Sequence, residues 1–441
     1  MTVPTMTSER LDMRQQRSWK RIGLFAAPLA VGALVLAGCS TSGGASAKEP
    51  QTITFAFGAT NDQDKAAYAG LAQAYEKAHK GVTITPQNLP AESYQTAVAT
   101  RVQGGNAPDT FQSEGGTGQS YSIIPFAKAG LLLPLTDSAI TSALPSAQKE
   151  LWTYDGKAYG VPLGSNANGV IYNDELAKSI GVNIDASTSL DDIIAQCAVA
   201  RSKGKTVYGL AGSTVPNDAF LALGLATSTV YGPDQHWNEK RAAGKTTFAG
   251  TKGWSEALTN LKKMYDAGCF QDGAASAGFD ALTNGASQGK ILGFFAPSNA
   301  AKEIMDAAGG HVKLVILPIA APDGTKTYLS VSADQSVSAS AKTKSPKLTQ
   351  DFLKYIVSPA GQEAYSKAVG TIPVTATSST TLLPQFDTVK GMITSNTVRG
   401  LPSTDWSNAK VYADLGTGVQ GILTGQMTVK QVLQQMDADW G

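Results

Sequence analysis

Gly285-Ala-Ser287-Gln-Gly289 has the literal spacing of a nucleophile elbow, in which a strained turn lifts a serine hydroxyl between a strand and the helix that follows. Here the order is reversed. Residues 279–284 have helical character and 291–295 read as the strand, so the segment is expected to be a glycine turn. Gly289-Lys290 resembles the end of a phosphate loop, but only three residues separate Gly285 from Gly289, and Ile291 stands where a hydroxyl is required. The three histidines (His79, His236 and His311) form no H-E-x-x-H pair, and no EF-hand loop is present. Three cysteines are too few for a thiolate-rich centre, so neither a metal nor a cofactor is expected. Asp191-Asp192 sits in a helix's first turn, where capping accounts for it. Two facing carboxylates of the glycosidase kind remain open at this level.

The elements around these residues belong to a globular chain. Its 441 residues predict more than one domain, and 42% hydrophobic content supports sizeable cores and excludes disorder or collagen-like repeats. A net charge of +1 without like-charged blocks argues against nucleic-acid binding, which needs a basic footprint. Residues 51–57 alternate, with Ile53, Phe55 and Phe57 on one face, and predict a strand. Tyr68, Leu71, Tyr75 and Ala78 recur at helical spacing behind a cap at Asn61 or Asp62, with Gly81 as the stop. Further strands are expected at 82–85, 109–112 and 205–210, and further helices at 93–102 and from Ser189 onward. Such alternation implies α/β architecture with a largely parallel sheet. No linker separates the domains, so several chain crossings are expected between them.

At the N-terminus, Arg14, Arg17, Lys20 and Arg21 precede an apolar run over 22–36, the layout of a signal peptide. That run is about fifteen residues, short of the roughly twenty that span a bilayer. Leu36-Ala37-Gly38-Cys39 follows and resembles the lipobox of bacterial lipoproteins. The resemblance implies cleavage of 1–38, lipidation of Cys39, and a small polar tether over 39–50 on the outer face of the cell membrane. Two acyl chains suffice for stable anchoring. The mature chain then has 36 − 5 = 31 basic and 35 − 2 = 33 acidic residues, a net charge of −2. Cys197 and Cys269 remain, and an oxidising compartment favours a disulfide between them over two buried free thiols.

Six short segments, in order, resemble the extracellular solute-binding proteins of bacterial ABC transporters, the family of the maltose-binding protein. They are Gly105-Asn-Ala-Pro108-Asp109; Tyr154-Asp-Gly-Lys157 with Tyr159-Gly-Val-Pro162; Ile171-Tyr-Asn173 with Leu176; Gly289-Lys-Ile-Leu292; Phe352-Leu-Lys-Tyr-Ile356; and Ser358-Pro-Ala-Gly-Gln-Glu363 with Gly370-Thr-Ile-Pro373. The resemblance implies a two-lobed α/β fold of the periplasmic-binding-protein type (type II), with the ligand cleft between lobes joined by a multi-crossing hinge. Lobe one would comprise 50–162 plus 328–372, and lobe two 166–320 plus 378–441. Crossings would lie near 162–165, 321–328 and 373–380.

Ligands of open α/β sheets bind beyond the carboxyl ends of the strands. That rule and the resemblance together nominate Thr60, Asn61 and Asp62 after the first strand, and Gln112 and Glu114 after the third. They add Asn166 past the hinge, Asn299, Asp334, and Trp406 as an aromatic platform, with Tyr231 and Trp237 also in reach. Carboxylates and amides pair with hydroxyl groups and aromatic faces cover C–H patches, which suits a sugar. The expected protein is therefore a monomeric, non-catalytic receptor delivering a mono- or oligosaccharide to ABC permease subunits. A polyamine or other non-sugar solute, a secreted lipoprotein glycosidase, and an adhesin or sensor are the rival readings.

Overall fold

The computed structural model describes residues 50–441, apart from Thr60 and Asn396. The signal segment, Cys39 and Thr60 therefore lie outside the described residues.

The first sheet grows from the alternation seen in the sequence. Strand β1 (Thr52–Phe57) buries Ile53, Phe55 and Phe57 against Tyr68 of the Asp62–Ala78 helix and Phe352 of the Pro346–Ile356 helix. Asn61 caps the first of these helices, its Oδ1 accepting from the Asp64 amide at 2.8 Å. Gly81 follows that helix at φ +86°, a conformation that costs glycine nothing. Strands β2 (Thr83–Asn88) and β3 (Thr110–Ser113) flank β1 in parallel. The hairpin β4 (Thr153–Tyr154) and β5 (Lys157–Ala158) precedes β6 (Gly160–Pro162).

The second sheet is built around the eight-residue strand β7 (Ser165–Tyr172), buried along its whole length. It also contains β8 (Thr206–Gly209), β9 (Ile291–Pro297), β10 (Val315–Leu317), β11 (Leu329–Ala333) and, past the last crossing, β13 (Val398–Gly400). Strand β12 (Ser336–Ala339) returns to the first sheet, giving the order β2-β1-β3-β12-β6; the second runs β13-β11-β7-β9-β8. Both sheets are mixed, not largely parallel. Strands β7 and β12 arrive through the hinge and pair antiparallel to their neighbours. Gly169 lets β10 approach β7, since a Cβ there would run into the Leu317 carbonyl.

The sequence reading needs one correction at the second crossing. Residues 330–333 pair with 165–168 of β7, so the chain stays in the second sheet beyond 328. It crosses at Asp334 and Gln335 instead. These form a continuous antiparallel ladder with Leu163 and Gly164 of the first crossing: Leu163 N donates to Gln335 O and Asp334 N to Gly164 O, both at 2.8 Å. A third crossing is tied on where Ser165 and Ile372 exchange backbone bonds of 2.8 and 2.7 Å.

The first sheet packs on one apolar core and the second on two, the larger of which includes Cys197 of the Leu190–Ser202 helix and Cys269. These cysteines are disulfide-bonded, with Cα atoms 4.8 Å apart, as an oxidising compartment favours. Ser189 caps that helix, its Oγ accepting from the Asp192 amide. The Phe279–Ser287 helix precedes β9, which is the order opposite to a nucleophile elbow.

Candidate functional site

The carboxyl ends of β1 and β3 and the hinge crossings bring polar side chains from distant parts of the chain into one network. Gln112, on β3, accepts from the Gly58 amide at 2.8 Å and donates to Gln335 Oε1 at 3.0 Å. The Tyr121 hydroxyl lies 3.2 Å from the same Gln335 oxygen and 3.3 Å from Glu114 Oε2. Its single proton can serve only one of them at a time. The Tyr94 hydroxyl donates to the Gln112 carbonyl at 2.8 Å, and its ring meets the Tyr121 ring edge-on. Backbone bonding to 121–123 fixes the Glu114 loop.

A second chain of bonds starts one residue before Gln335. Asp334 Oδ2 accepts from the Tyr365 hydroxyl at 2.8 Å, and Oδ1 from Asn166 Nδ2 at 2.9 Å. Asn166 Oδ1 in turn accepts from Ser298 Oγ at 3.2 Å and from the Asn299 amide at 3.1 Å. Alternation along the ladder turns the neighbouring positions the other way. There Ser165, Val331 and Ile372 line a separate cavity of about 300 Å³ with Gln148 and Val398.

Electrostatics single out Glu114. Burial pushes its carboxyl up to about 7; the Tyr121 hydrogen bond opposes the rise and the Asp334 charge adds to it. Burial also raises Asp334, against the bonds from Tyr365 and Asn166. The Tyr121 hydroxyl partners Glu114, a hydroxyl and an amide partner Asp334, and Glu114 is part-exposed. Among the described residues no cluster of His, Cys, Asp and Glu is gathered to hold a metal.

Of the nominated residues, Gln112, Glu114, Asn166 and Asp334 are thus drawn together, with the Asn299 amide at the end of the chain of bonds. Asn61 spends its Oδ1 on the helix cap, and Asp62 is exposed in the first turn. Trp406 is 5% exposed, packed in an aromatic cluster against Phe248, Trp254 and Trp440. Tyr231 and Trp237 are buried in the same cluster, so the three rings fill lobe two's core and offer no open platform. The sequence reading missed Tyr121, Gln335, Tyr365 and Ser298. Gln335 has a local signal, standing next to Asp334; Tyr121 and Ser298 meet Gln335 and Asn166 across more than a hundred residues, and Tyr365 reaches Asp334 from a helix 31 residues on.

Comparison with known proteins agrees with this architecture. The chain is 23% identical to a multiple sugar-binding protein of Streptococcus mutans over 354 residues, covering 79% of this chain and 80% of that one. It is 24% identical to a melibiose/raffinose/stachyose-binding protein of Bacillus subtilis over 341 residues, 76% of this chain and 77% of the relative. A sugar transporter from Bacillus licheniformis, solved with stachyose, shares the fold with a TM-score of 0.64 and 19% identity, covering 88% of this chain and 98% of that one. Residues 58–363 match the family described as bacterial extracellular solute-binding proteins, and the chain belongs to that family.

Proposed function

We propose that this protein captures an oligosaccharide outside the cell and hands it to an ABC permease, without catalysis of its own. The observation that carries the reading is the network at the hinge, where Glu114, Tyr121, Gln112 and Gln335 present carboxylate, hydroxyl and amide groups together. These groups pair with sugar hydroxyls, and the relatives named for melibiose, raffinose and stachyose point to galactosides of that size. Glu114, Gln112 and the loop after β1 are the proposed ligand contacts. Closure of the lobes around the sugar would give the permease a form to recognise.

The finer claims belong to the same proposal. Cys39, in Leu36-Ala37-Gly38-Cys39, would carry the lipid that holds the protein at the outer face of the membrane. Cys39→Ser should leave an unprocessed precursor without lipid label; normal cleavage and labelling would remove the anchor from the account. The sugar is tested by a thermal-shift panel of mono- and oligosaccharides, polyols, polyamines and amino acids. A ligand that binds only the folded protein raises its midpoint. A shift with raffinose-type sugars supports the reading, and a shift with polyamines alone overturns it.

A further inference from the structure

Asn166 stands in β7 of lobe two, and both lone pairs of its Oδ1 are occupied, by Ser298 Oγ and by the amide of Asn299. Asn299 opens the Asn299–Ala307 helix, which packs into lobe two through Ala301. The Nδ2 of Asn166 donates to Asp334, on the crossing, and Asp334 accepts from Tyr365 of the Pro359–Val369 helix, part of lobe one's core. One unbroken chain of hydrogen bonds thus runs from a helix of one lobe, through the crossing, to a helix of the other.

The two helices also meet beside that chain. Gly370 ends the lobe-one helix at φ +85°, and a Cβ there would lie 2.5 Å from Lys302 Cβ of the lobe-two helix. A rotation of the lobes about the crossings must change the separation of these helices, and with it the span that the side-chain relay bridges. The backbone ladder of Leu163 and Gly164 with Gln335 and Asp334 lies within the crossing and is spared.

We infer that Asn166 and Asp334 are positioning residues: through Tyr365 and the Ser298–Asn299 turn they set the angle between the lobes, and ligand affinity depends on them through that angle. Their effect on sugar affinity rests on the function proposed above; their effect on the free protein's shape does not. The test compares the parent with Asn166→Ala and with Tyr365→Phe, which removes a single hydroxyl. Small-angle X-ray scattering gives the radius of gyration of each free protein, urea unfolding its stability, and stopped flow the raffinose rates. Expected are a changed radius of gyration in both variants and a raffinose off-rate raised roughly tenfold, with the on-rate little altered. A lowered unfolding midpoint with the parent's radius of gyration and off-rate would overturn the inference, leaving the relay a stability element only. If raffinose does not bind the parent, the sugar reading fails, and the free proteins' scattering alone decides this inference.

Discussion

Glu114→Gln is the substitution for which the structure predicts the most. Burial moves the carboxyl from an ordinary value near 4.5 to about 7, so the folded protein prefers it protonated. The stability this provides is full below about 4.5 and is lost as pH rises through about 7. That rise corresponds to roughly 3 kcal/mol by linkage. Glutamine keeps the shape without the charge, so the variant should match the parent at pH 4 and exceed it by up to about 3 kcal/mol at pH 8.5. Sugar hydroxyls that donate to Glu114 favour the ionised form and pull its pKa back down. If binding restores it to about 4.5, the parent's raffinose affinity should fall roughly seventyfold between pH 8 and pH 5, most steeply below 7. The assay is isothermal titration at pH 5, 6, 7 and 8 on both proteins. The variant should bind more weakly at pH 8, with a flat profile. A variant whose profile parallels the parent's would show that Glu114 is not the titrating contact.

Two further predictions concern lobe two. Asp218, in the Val215–Ala226 helix, is fully buried with no partner on either oxygen, and burial pushes its pKa up to about 8. The parent should lose stability as pH rises from about 4 to 8; Asp218→Asn should recover about 2–4 kcal/mol at pH 8 and nothing near pH 4, measured by urea unfolding. The bond between Cys197 and Cys269 closes a loop of sequence separation 72, worth roughly 4 kcal/mol in the loop-entropy account. Replacing both cysteines by alanine should lower the urea midpoint accordingly; thiol labelling of the unreduced parent at both positions would contradict the bond.

Local pattern revealed most of the elements. The alternation of 51–57, the Asn61 cap and the strand at 205–210 reappear as β1, the Asp62–Ala78 helix and β8. The second crossing was misplaced because β11 is short and serine-rich, and only its pairing with Asn166 and Asn168 reveals its sheet. The strand-end rule nominated Gln112 and Glu114, which the fold brings into one hydrogen-bonded network. Tyr121, Gln335 and Tyr365 escaped it because none of them follows a strand of the first sheet's carboxyl edge; the hinge crossing and the Pro359–Val369 helix bring Gln335 and Tyr365 to the site. Trp406 was misjudged for another reason: an aromatic side chain suits a platform or a core equally well, and only Phe248, Trp254 and Trp440 decide between them.

The central claim is sugar capture, and direct isothermal titration of raffinose and stachyose into the purified protein at pH 8 tests it. The account predicts one saturable site on the parent, with affinity weakened at least tenfold in Glu114→Gln, a loss of about 1.4 kcal/mol. Absence of heat with either sugar, alongside saturable binding of a polyamine or amino acid, would contradict it.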